Sequence, residues 1–573
     1  MIMVEKTMPL GMDDFRKIRE MTEKGVKVKY YVDKSLFIQD FLRFRDEVTL
    51  ITRPRRFGKT LTMTMLRDFF DFLSDSRDIF DGLAIMDTDY AEKINSMPVI
   101  YLTFKDCTDN TLVSMVISLC GKLFWEYDKY HKIFELADVD KQDAVYREFY
   151  ELHNKFGILN SKENLDDQNL EWIIFMLKIS LETLMRSIHD FYKVRPLVII
   201  DEYDQPIIIG HEHRYRATMT DLFGSMYGRA FKGNPDLGQA IITGIQRVAK
   251  ESIFSRLNNP AVYTTVDDQY SEYFGLNEGE VKQILIDFKI ETPLGAVRAH
   301  YDGYVFGNDQ HMYNPWSILS FVKKRKLESF WINTSTNLLI RELILNADDE
   351  FTESFDELLE YGEVEVFANL SASFLELEEE ATLWGLLINA GYLTVSEDID
   401  TYAKVVRIPN HEVRTEFVSI ISQRTKTSAT VLINMVNALM MVNMDRFLKN
   451  YQKLVNRYTS FRHQDESSYQ NFLLGLLVTA TGIYEVTAEQ EAGDGLPDIV
   501  MKSKYPDLRP HIIIELKTLK EGEKFSTKTD KALQQINDKR YDAKLIGDII
   551  HVGLVHDGKK CELKFKEVYK KET

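Results

Sequence analysis

Short apolar runs alternate with longer stretches of helical spacing through residues 1–275. The runs rich in β-branched residues, which we interpret as strands, are Val48–Thr52, Val99–Phe104, Leu197–Asp201 and Ala240–Thr243. Between them apolar residues recur with a helical period, as from Leu61 to Phe72, which is typical of a helix packed on a sheet. The alternation predicts a mostly parallel α/β sheet.

The pattern changes twice further along the chain. Residues 276–424 are mostly helical, with strand-like islands in GYLTV (391–395) and AKVVRIPN (403–410), so a winged-helix-like arrangement is one option. Residues 425–573 begin with helices and continue with the strand-like runs YEVTAEQE, LPDIVMKS, HIIIELKT and IIHVGLVHD. We therefore expect a multidomain α/β protein with domains at 1–275, 276–424 and 425–573.

Composition narrows the class of protein. Hydrophobic residues make up 44% of the 573-residue chain and charged residues 28%, as in folded globular proteins. The net charge of −18 argues against a surface that wraps nucleic acid throughout, although a local basic cleft is compatible with it. Three cysteines without a CxxC pair exclude a disulfide framework and a thiolate zinc site.

The apolar segments of the chain bear on the cellular location of the protein. The N-terminus has no uninterrupted apolar signal region, and the longest apolar stretch, Phe472–Tyr484, is shorter than the ~20 residues of a membrane helix. We interpret that stretch as a buried helix. The expectation is a cytoplasmic protein without a membrane partner.

The first candidate site is a phosphate-binding loop after the strand at Val48–Thr52, which predicts that the parallel sheet is that of a P-loop NTPase. The loop reads RPRRFGKT, with Arg53 where the usual pattern has its first glycine. Lys59 would reach the β- and γ-phosphates of ATP, the Thr60 hydroxyl would bind Mg²⁺, and the helix N-terminus would supply N–H groups. The remaining loop residues predicted to contact the nucleotide are Arg53, Arg55, Arg56, Phe57 and Gly58, where arginines can replace lost N–H contacts by bidentate phosphate bonding.

Acidic residues end a second strand, LVIIDE. Asp201 would hold the Mg²⁺ shell and Glu202 would polarise the attacking water. Thr243, at the end of a third strand, would sense the γ-phosphate, and Arg247 or Arg256 would supply charge to the transition state in cis or from another subunit of a homo-oligomer. An acidic pair after a strand is also a common exit into a loop, so this assignment depends on the phosphate loop.

The second candidate site has the form PD…ExK. Asp498 lies 17 residues before Glu515, a separation that suits a hairpin, and the strand period places Glu515 and Lys517 on one face. The two carboxylates would bind Mg²⁺ or Mn²⁺, Lys517 would orient water or neutralise charge, and Glu466 would add an outer carboxylate. By itself this pattern is weak, and its context strengthens it.

A family resemblance joins the two sites. The segments that carry it are YYVDKSLFI (30–38), RPRRFGKT (53–60), IIDEYDQPI (199–207), TGIQRVAKESIFSRLNN (243–259), YDGYVFG (301–307), YNPWSIL (313–319) and GYLTV (391–395). They resemble the AAA-ATPase-like family, in which arginine at the first-glycine position is usual and a C-terminal PD-(D/E)XK nuclease domain is typical. In that superfamily a helix with Gln535 and Tyr541 would support the site. Leu496 stands where related proteins often carry an arginine.

The resemblance implies an ATP-binding or ATP-hydrolysing protein that regulates a Mg²⁺-dependent nuclease, with DNA favoured over RNA. The alternative is a nucleotide-dependent sensor or switch whose C-terminal domain binds nucleic acid or protein without cleavage. The acidic net charge and atypical loop modestly favour that alternative.

Overall fold

The structure is a computed structural model. It describes residues 6–20, 27, 29–160, 167–246, 260–331, 343–344, 347–370, 380–400, 403–424, 429–458, 466–477, 480, 483–487, 492–520 and 522–570. The chain forms two compact units: Met1–Glu291 with Val305–Lys326 and Ala368–Gly391, and Thr292–Tyr304 with Leu327–Phe367 and Tyr392–Thr573. Residues 276–424 are therefore shared between the units, and the boundaries at 275 and 424 stay predictions.

A parallel sheet forms the centre of the first unit. Its strands are β1 (Val48–Thr52), β2 (Val99–Thr103), β3 (Leu197–Asp201), β4 (Gln239–Gly244) and β5 (Ala261–Tyr263). The strand order is β2-β3-β4-β1-β5, and every neighbouring pair is parallel. The predicted strands are confirmed, whereas the three-residue β5 was not predicted from its sequence.

Helices cover this sheet and connect the other elements. Their bounds are α1 (Phe15–Arg19), α2 (Leu36–Phe44), α3 (Lys59–Phe70), α4 (Arg77–Phe80), α5 (Leu112–Leu136), α6 (Ala144–Asn160), α7 (Asp167–Tyr192), α8 (Gln205–Glu212), α9 (Arg216–Phe231), α10 (Glu278–Asp287), α11 (Leu294–Tyr301), α12 (Pro315–Lys324), α13 (Asp349–Tyr361), α14 (Glu380–Ala390), α15 (His411–Arg424), α16 (Ala429–Met440), α17 (Met444–Tyr458), α18 (Glu466–Leu477) and α19 (Phe525–Asp538). Short 3₁₀ turns occupy Ala84–Asp87, Asp89–Lys93 and Ser271–Tyr273. One apolar core joins α5, α6, α7 and α9 to the sheet.

The middle of the chain contains small β elements among helices. Strands β6 (Tyr304–Phe306) and β7 (Asp309–Met312) pair with each other. Strands β8 (Glu363–Phe367), β9 (Thr394–Asp398) and β10 (Ala403–Arg407) form an antiparallel sheet in the order β8-β10-β9. The mostly helical middle with a small β element is confirmed.

A mixed sheet organises the C-terminal region. It runs β11 (Tyr484–Thr487), β12 (Ile499–Ser503), β13 (His511–Thr518), β14 (Gly547–Asp557) and β15 (Lys560–Lys570), in that order. Only β13 and β14 are parallel, because α19 connects them as a crossover helix. This confirms the predicted C-terminal α/β domain and completes the multidomain α/β fold class.

The apolar stretch Phe472–Tyr484 is divided between two elements. Helix α18 ends at Leu477, and Tyr484 already begins β11. The prediction of one buried helix across the whole stretch is therefore wrong for its C-terminal end. Among the described helices, none combines the length and apolar character that crossing a membrane requires.

Candidate functional site

The phosphate loop turns directly into α3. Gly58 caps the helix with φ of 89°, a left-handed conformation that favours glycine, and a Cβ there would meet no atom within 4 Å. The space in front of the helix N-terminus is therefore open, as an anion site requires. The Phe57 ring packs against the ring of Phe306, and the two ring centroids are 5.0 Å apart.

Lys59 lies inside this loop and is 4% exposed. Its Nζ donates to the carbonyl oxygens of Arg53 at 3.0 Å and Pro54 at 3.2 Å. The same ammonium lies 3.8 Å from Glu202 Oε1. Glu202 follows β3 in a left-handed conformation, with φ of 54°, so its carboxylate turns from the strand towards the loop.

Asp201 accepts hydrogen bonds from three hydroxyl groups, one in the first turn of α3 and two at the ends of β2 and β4. Thr60 and Thr243 each donate to its carboxylate at 2.8 Å, and Thr103 donates at 3.4 Å. Burial, followed by the Glu202 carboxylate, raises the pKa of Asp201 to about 6, although the hydroxyl groups oppose this rise. The structure thus brings Thr60, Asp201 and Thr243 together.

The three loop arginines have different surroundings. Arg53 is fully buried; its Nη1 donates to the carbonyls of Thr52 and Tyr263, and its guanidinium faces the rings of Phe274 and Phe306. Burial lowers the pKa of Arg53 to about 10. In this arrangement the Arg53 side chain contacts the backbone of β1 and β5, and its carbonyl accepts a hydrogen bond from Lys59. A contact between Arg53 and phosphate stays a prediction.

Of the other predicted arginines, Arg55 is half-buried and Arg56 is exposed. The Arg56 guanidinium carbon is 4.3 Å from the centroid of the Trp316 ring, and the Arg55 carbonyl accepts a hydrogen bond from Asn314 at 3.3 Å. Both residues belong to the phosphate loop itself. Arg247 and Arg256 lie outside the described residues.

Asp204 was not predicted as a site residue. This fully buried carboxylate accepts from the backbone N–H groups of Ile245 at 2.9 Å and Gln246 at 2.8 Å. It thereby fixes the chain after β4, close behind the Thr243 hydroxyl. Gly244 is required there because a Cβ would lie 2.7 Å from Asp204 Oδ1. The motif DEYD could have identified Asp204, because this aspartate is the third acidic residue after an apolar strand.

A cavity of about 100 Å³ adjoins the phosphate loop. Apolar and tyrosine side chains dominate its wall, which includes Tyr30, Tyr31, Gly58, Leu61 and Leu276. No carboxylate occurs among the described residues that line it. The lining cation Lys34 is already neutralised, with Nζ 2.6 Å from Glu280 Oε1.

The second site lies on the hairpin of β12 and β13. Asp498 precedes β12, and its Oδ2 accepts from the backbone N–H of Leu516 at 2.6 Å. Glu515, 1% exposed on β13, accepts from Lys517 Nζ at 2.8 Å through Oε1. Its buried Oε2 has no hydrogen-bond partner in the described part of the chain.

Burial and neighbouring charges shift the pKa values of Glu515 and Lys517. Burial, followed by the Asp498 carboxylate, raises the pKa of Glu515 to about 7, with Lys517 opposing the rise. Burial works against the charge of Lys517, yet the carboxylates of Glu515, Asp498 and Glu466 outweigh it and hold the Lys517 pKa above its usual value. Lys517 is therefore a cation and a hydrogen-bond donor at neutral pH.

Glu466 reaches the cluster from α18. Its Oε1 accepts from the backbone N–H of Thr518 at 3.1 Å, and its Oε2 lies 3.5 Å from Lys517 Nζ. Gln470, one turn later and absent from our site prediction, donates to the Asp498 carbonyl at 2.9 Å. The helix thus holds both strands, and its contact with the metal-binding candidates runs through Lys517 and the Asp498 backbone.

The predicted supporting pair also meets. Gln535 Nε2 donates to the Tyr541 hydroxyl at 3.2 Å, and Tyr541 is 3% exposed. Burial, then the carboxylates of Glu515 and Asp498, raises the pKa of Tyr541, which places its ring within their field. Leu496 is 53% exposed and leaves the position of the usual arginine apolar.

Comparison with known proteins agrees with this geometry. Residues 9–254 match the family model described as Predicted AAA-ATPase, and residues 464–566 match that of the PD-(D/E)XK nuclease superfamily. The chain therefore carries an AAA-ATPase-like domain and a C-terminal PD-(D/E)XK nuclease-superfamily domain, families that indicate ATPase and nuclease activities.

A relative in Azotobacter chroococcum mcd 1 is described as an uncharacterized protein in the vnfD 5′ region. It is 26% identical over 419 residues, which are 72% of this chain and 69% of that protein.

Proposed function

We propose that this protein binds and hydrolyses ATP and thereby regulates a metal-dependent nuclease site in its C-terminal domain. The substrate is nucleic acid, with DNA favoured over RNA, and the reaction is hydrolysis of a phosphodiester bond. The observation that carries the proposal is the buried Glu515 carboxylate, which has one unpaired oxygen beside Asp498 and Lys517.

The residues of this cluster fit a hard divalent cation. An unpaired buried carboxylate oxygen is costly in a protein interior, and a cation such as Mg²⁺ or Mn²⁺ would satisfy it. Asp498 and Glu515 would hold the ion, which when bound supplies Lewis acidity and an activated water. Glu466 would add an outer carboxylate through its position beside Lys517.

Lys517 would act on the phosphate. Because it stays protonated, it cannot take a proton from water; it can donate hydrogen bonds to a phosphate oxygen and offset developing negative charge. Tyr541 and Gln535 would orient this face of the site. The Tyr541 hydroxyl is positioned by the amide of Gln535.

In the nucleotide site, Lys59 would leave the loop carbonyls for the phosphates, and Thr60 and Asp201 would hold Mg²⁺. Glu202 would then be freed from Lys59 to polarise water, with Thr243 sensing the γ-phosphate and Arg247 supplying charge. Gly58 and the helix N-terminus would receive the β-phosphate, flanked by Arg53, Arg55, Arg56 and Phe57.

The cavity beside the loop would receive the adenine ring of ATP. Its wall consists mostly of apolar and tyrosine side chains, which can pack against an aromatic base.

The test is a cleavage assay on single- and double-stranded DNA and on RNA with Mg²⁺ or Mn²⁺. Wild type should cleave, whereas Asp498→Ala and Glu515→Ala should lose cleavage by several orders of magnitude. Glu523→Ala is the matched control, because this acid lies in the same domain and its hydrogen bonds in the described chain go to Lys528 and the Lys520 backbone. Unchanged cleavage in Asp498→Ala and Glu515→Ala would refute the site.

The alternative function is a nucleotide-dependent switch without cleavage. Saturable nucleic-acid or protein binding by a protein that cleaves none of the substrates would select it. Mass measurement with and without ATP would test the homo-oligomer that an arginine supplied in trans requires.

A further inference from the structure

A cluster of metal-binding side chains lies on the α5–α6 hairpin, apart from the residues proposed for nucleotide and nucleic acid. It consists of Asp128 and His131 on α5 and His153 on α6. One ligand atom from each residue lies within 4.8 Å of the others. The spacing of Asp128 and His131, three residues apart, puts both on the same face of α5.

We propose that Asp128, His131 and His153 form a binding site for a divalent first-row transition-metal ion, with Zn²⁺ as the reference ion. The site would fasten α5 to α6. Two imidazoles and a carboxylate form a mixed nitrogen and oxygen ligand set that suits Zn²⁺ better than Mg²⁺. Sites of this kind occur between facing helices of bundles.

His153 is the most buried residue of the cluster. It is 8% exposed, and its Nε2 lies 3.4 Å from Asp128 Oδ1. Nε2 is therefore the nitrogen that faces the carboxylate and would bind the ion. Its Nδ1 has no hydrogen-bond partner in the described part of the chain, so the protein alone satisfies this buried imidazole poorly.

The two histidines lie face to face. Their ring centroids are 3.9 Å apart, with an angle of 14° between the planes. Such stacking is unfavourable for two charged rings, and burial followed by His131 lowers the pKa of His153. Burial thus favours the neutral form of His153, and a neutral imidazole is the form that binds a metal ion.

Binding requires one local change. Parallel rings cannot both direct their lone pairs at one ion, so the side chain of His131, 23% exposed, would rotate about its χ angles. Glu135, one turn later, has Oε1 3.4 Å from His131 Nε2 and could supply a fourth ligand once Lys141, whose Nζ lies 2.5 Å from the same oxygen and whose side chain is 52% exposed, moves into solvent. The competing cation on Asp128 is Lys132, at 2.6 Å, whose side chain is 69% exposed and can move into solvent.

The experiment uses the full chain, freed of metal with a chelator and then kept in millimolar Mg²⁺ to fill sites built from oxygen ligands. Zn²⁺ is titrated by calorimetry, Co²⁺ by its visible absorption, and the melting temperature is measured with and without Zn²⁺. We expect one Zn²⁺ per chain, a Co²⁺ spectrum typical of nitrogen ligation and a higher melting temperature.

His131→Ala and His153→Ala should lose the stoichiometric Zn²⁺ and the rise in melting temperature. His189→Ala is the matched control, because His189 pairs with Asp236 at 2.7 Å without a second imidazole among the described contacts. His131→Ala, at the more exposed position, keeps the test valid if His153→Ala fails to fold. Wild type without a stoichiometric Zn²⁺ site, or His131→Ala with undiminished binding, would overturn the proposal.

Discussion

At the scale of single residues, the Glu515 carboxylate combines a structural cost with its proposed chemistry. It is 1% exposed, and only one of its oxygens is hydrogen-bonded within the described chain. Its pKa rises from the usual 4.5 to about 7. The folded state therefore holds the proton more tightly than the unfolded state, and stability present below pH 4.5 is lost as pH rises to about 7.

Glu515→Gln should therefore stabilise the metal-free protein at pH 8. The amide keeps an oxygen for Lys517 and removes the buried charge, so we expect a gain of about 1–3 kcal/mol, since one pKa unit corresponds to ~1.4 kcal/mol. Denaturant unfolding in the presence of a chelator measures this gain, and it should vanish at pH 4. If Glu515→Gln destabilises the protein at pH 8, the ion pair with Lys517 stabilises the folded state by more than burial of the Glu515 charge destabilises it.

The same pKa predicts how metal binding depends on pH. Below about 7 the Glu515 carboxyl carries a proton that a cation must displace, so affinity for Mn²⁺ should rise between pH 6 and pH 8 and then level off. Calorimetric titration of wild type against Glu515→Ala isolates this site. An affinity that is flat across this interval in wild type would contradict the raised pKa.

In the nucleotide site, the hydroxyl groups on Asp201 can be compared with one another. Thr243→Val removes a donor at 2.8 Å and should lower stability at pH 8 by about 1–3 kcal/mol, the range for hydrogen bonds to charged groups. Thr103→Val removes the donor at 3.4 Å and should cost less. Melting temperatures of both isosteric variants test this order; equal losses would mean that the two hydroxyls contribute alike.

At the scale of elements, apolar periodicity was sufficient for the central strands but not for the edges. β1, β3 and β4 are buried almost throughout and therefore read as unbroken apolar runs. β15 lies at the sheet edge and alternates charged residues with others, so no apolar run marks it in the sequence. β5 has only three residues, too few for any period to appear.

The candidate site shows a similar division. Motif spacing was sufficient to bring Asp498, Glu515 and Lys517 together, because strand period and hairpin length fix their relative positions. Motif spacing could not show that the Arg53 side chain binds the carbonyls of Thr52 and Tyr263, because a loop sequence does not reveal the direction of a long side chain. Nor could it identify Gln470, whose contact with the site is a hydrogen bond to a backbone carbonyl.

The glycine turn before β12 supplies a prediction for an element. A Cβ at Gly493 would lie 2.1 Å from the Arg540 carbonyl oxygen, where the chain leaves α19 towards Tyr541, and φ there is 57°. Gly493→Ala should push the turn off the helix end, lower stability by more than ~1 kcal/mol and reduce cleavage through Tyr541.

Gly522→Ala separates backbone strain from this collision. Gly522 has φ of 84° but no atom within 4 Å of a Cβ, so its substitution carries the conformational cost alone. Thermal unfolding of both variants should show the larger loss at Gly493. A loss at Gly522 as large as that at Gly493 would indicate that close packing against Arg540 is unimportant.

At the scale of the whole molecule, the two chemical sites belong to different compact units. The phosphate loop and Asp201 lie within Met1–Glu291, whereas Asp498 and Glu515 lie within Tyr392–Thr573. Regulation of one site by the other is then a coupling free energy between distinct sites, and its existence must be measured by changing one site and observing the other.

Lys59→Ala is the change that tests this coupling. The substitution removes the ammonium held by the Arg53 and Pro54 carbonyls and leaves the C-terminal cluster untouched, so basal cleavage should persist while its response to ATP is lost. Nuclease rates with and without ATP measure this response. Lys178→Ala, which removes a lysine paired with Asp221 at 2.5 Å, controls for loss of a positive charge in the same unit. A wild-type rate that ATP leaves unchanged would refute regulation while leaving both site assignments intact, because coupling and chemistry are separate properties of the chain.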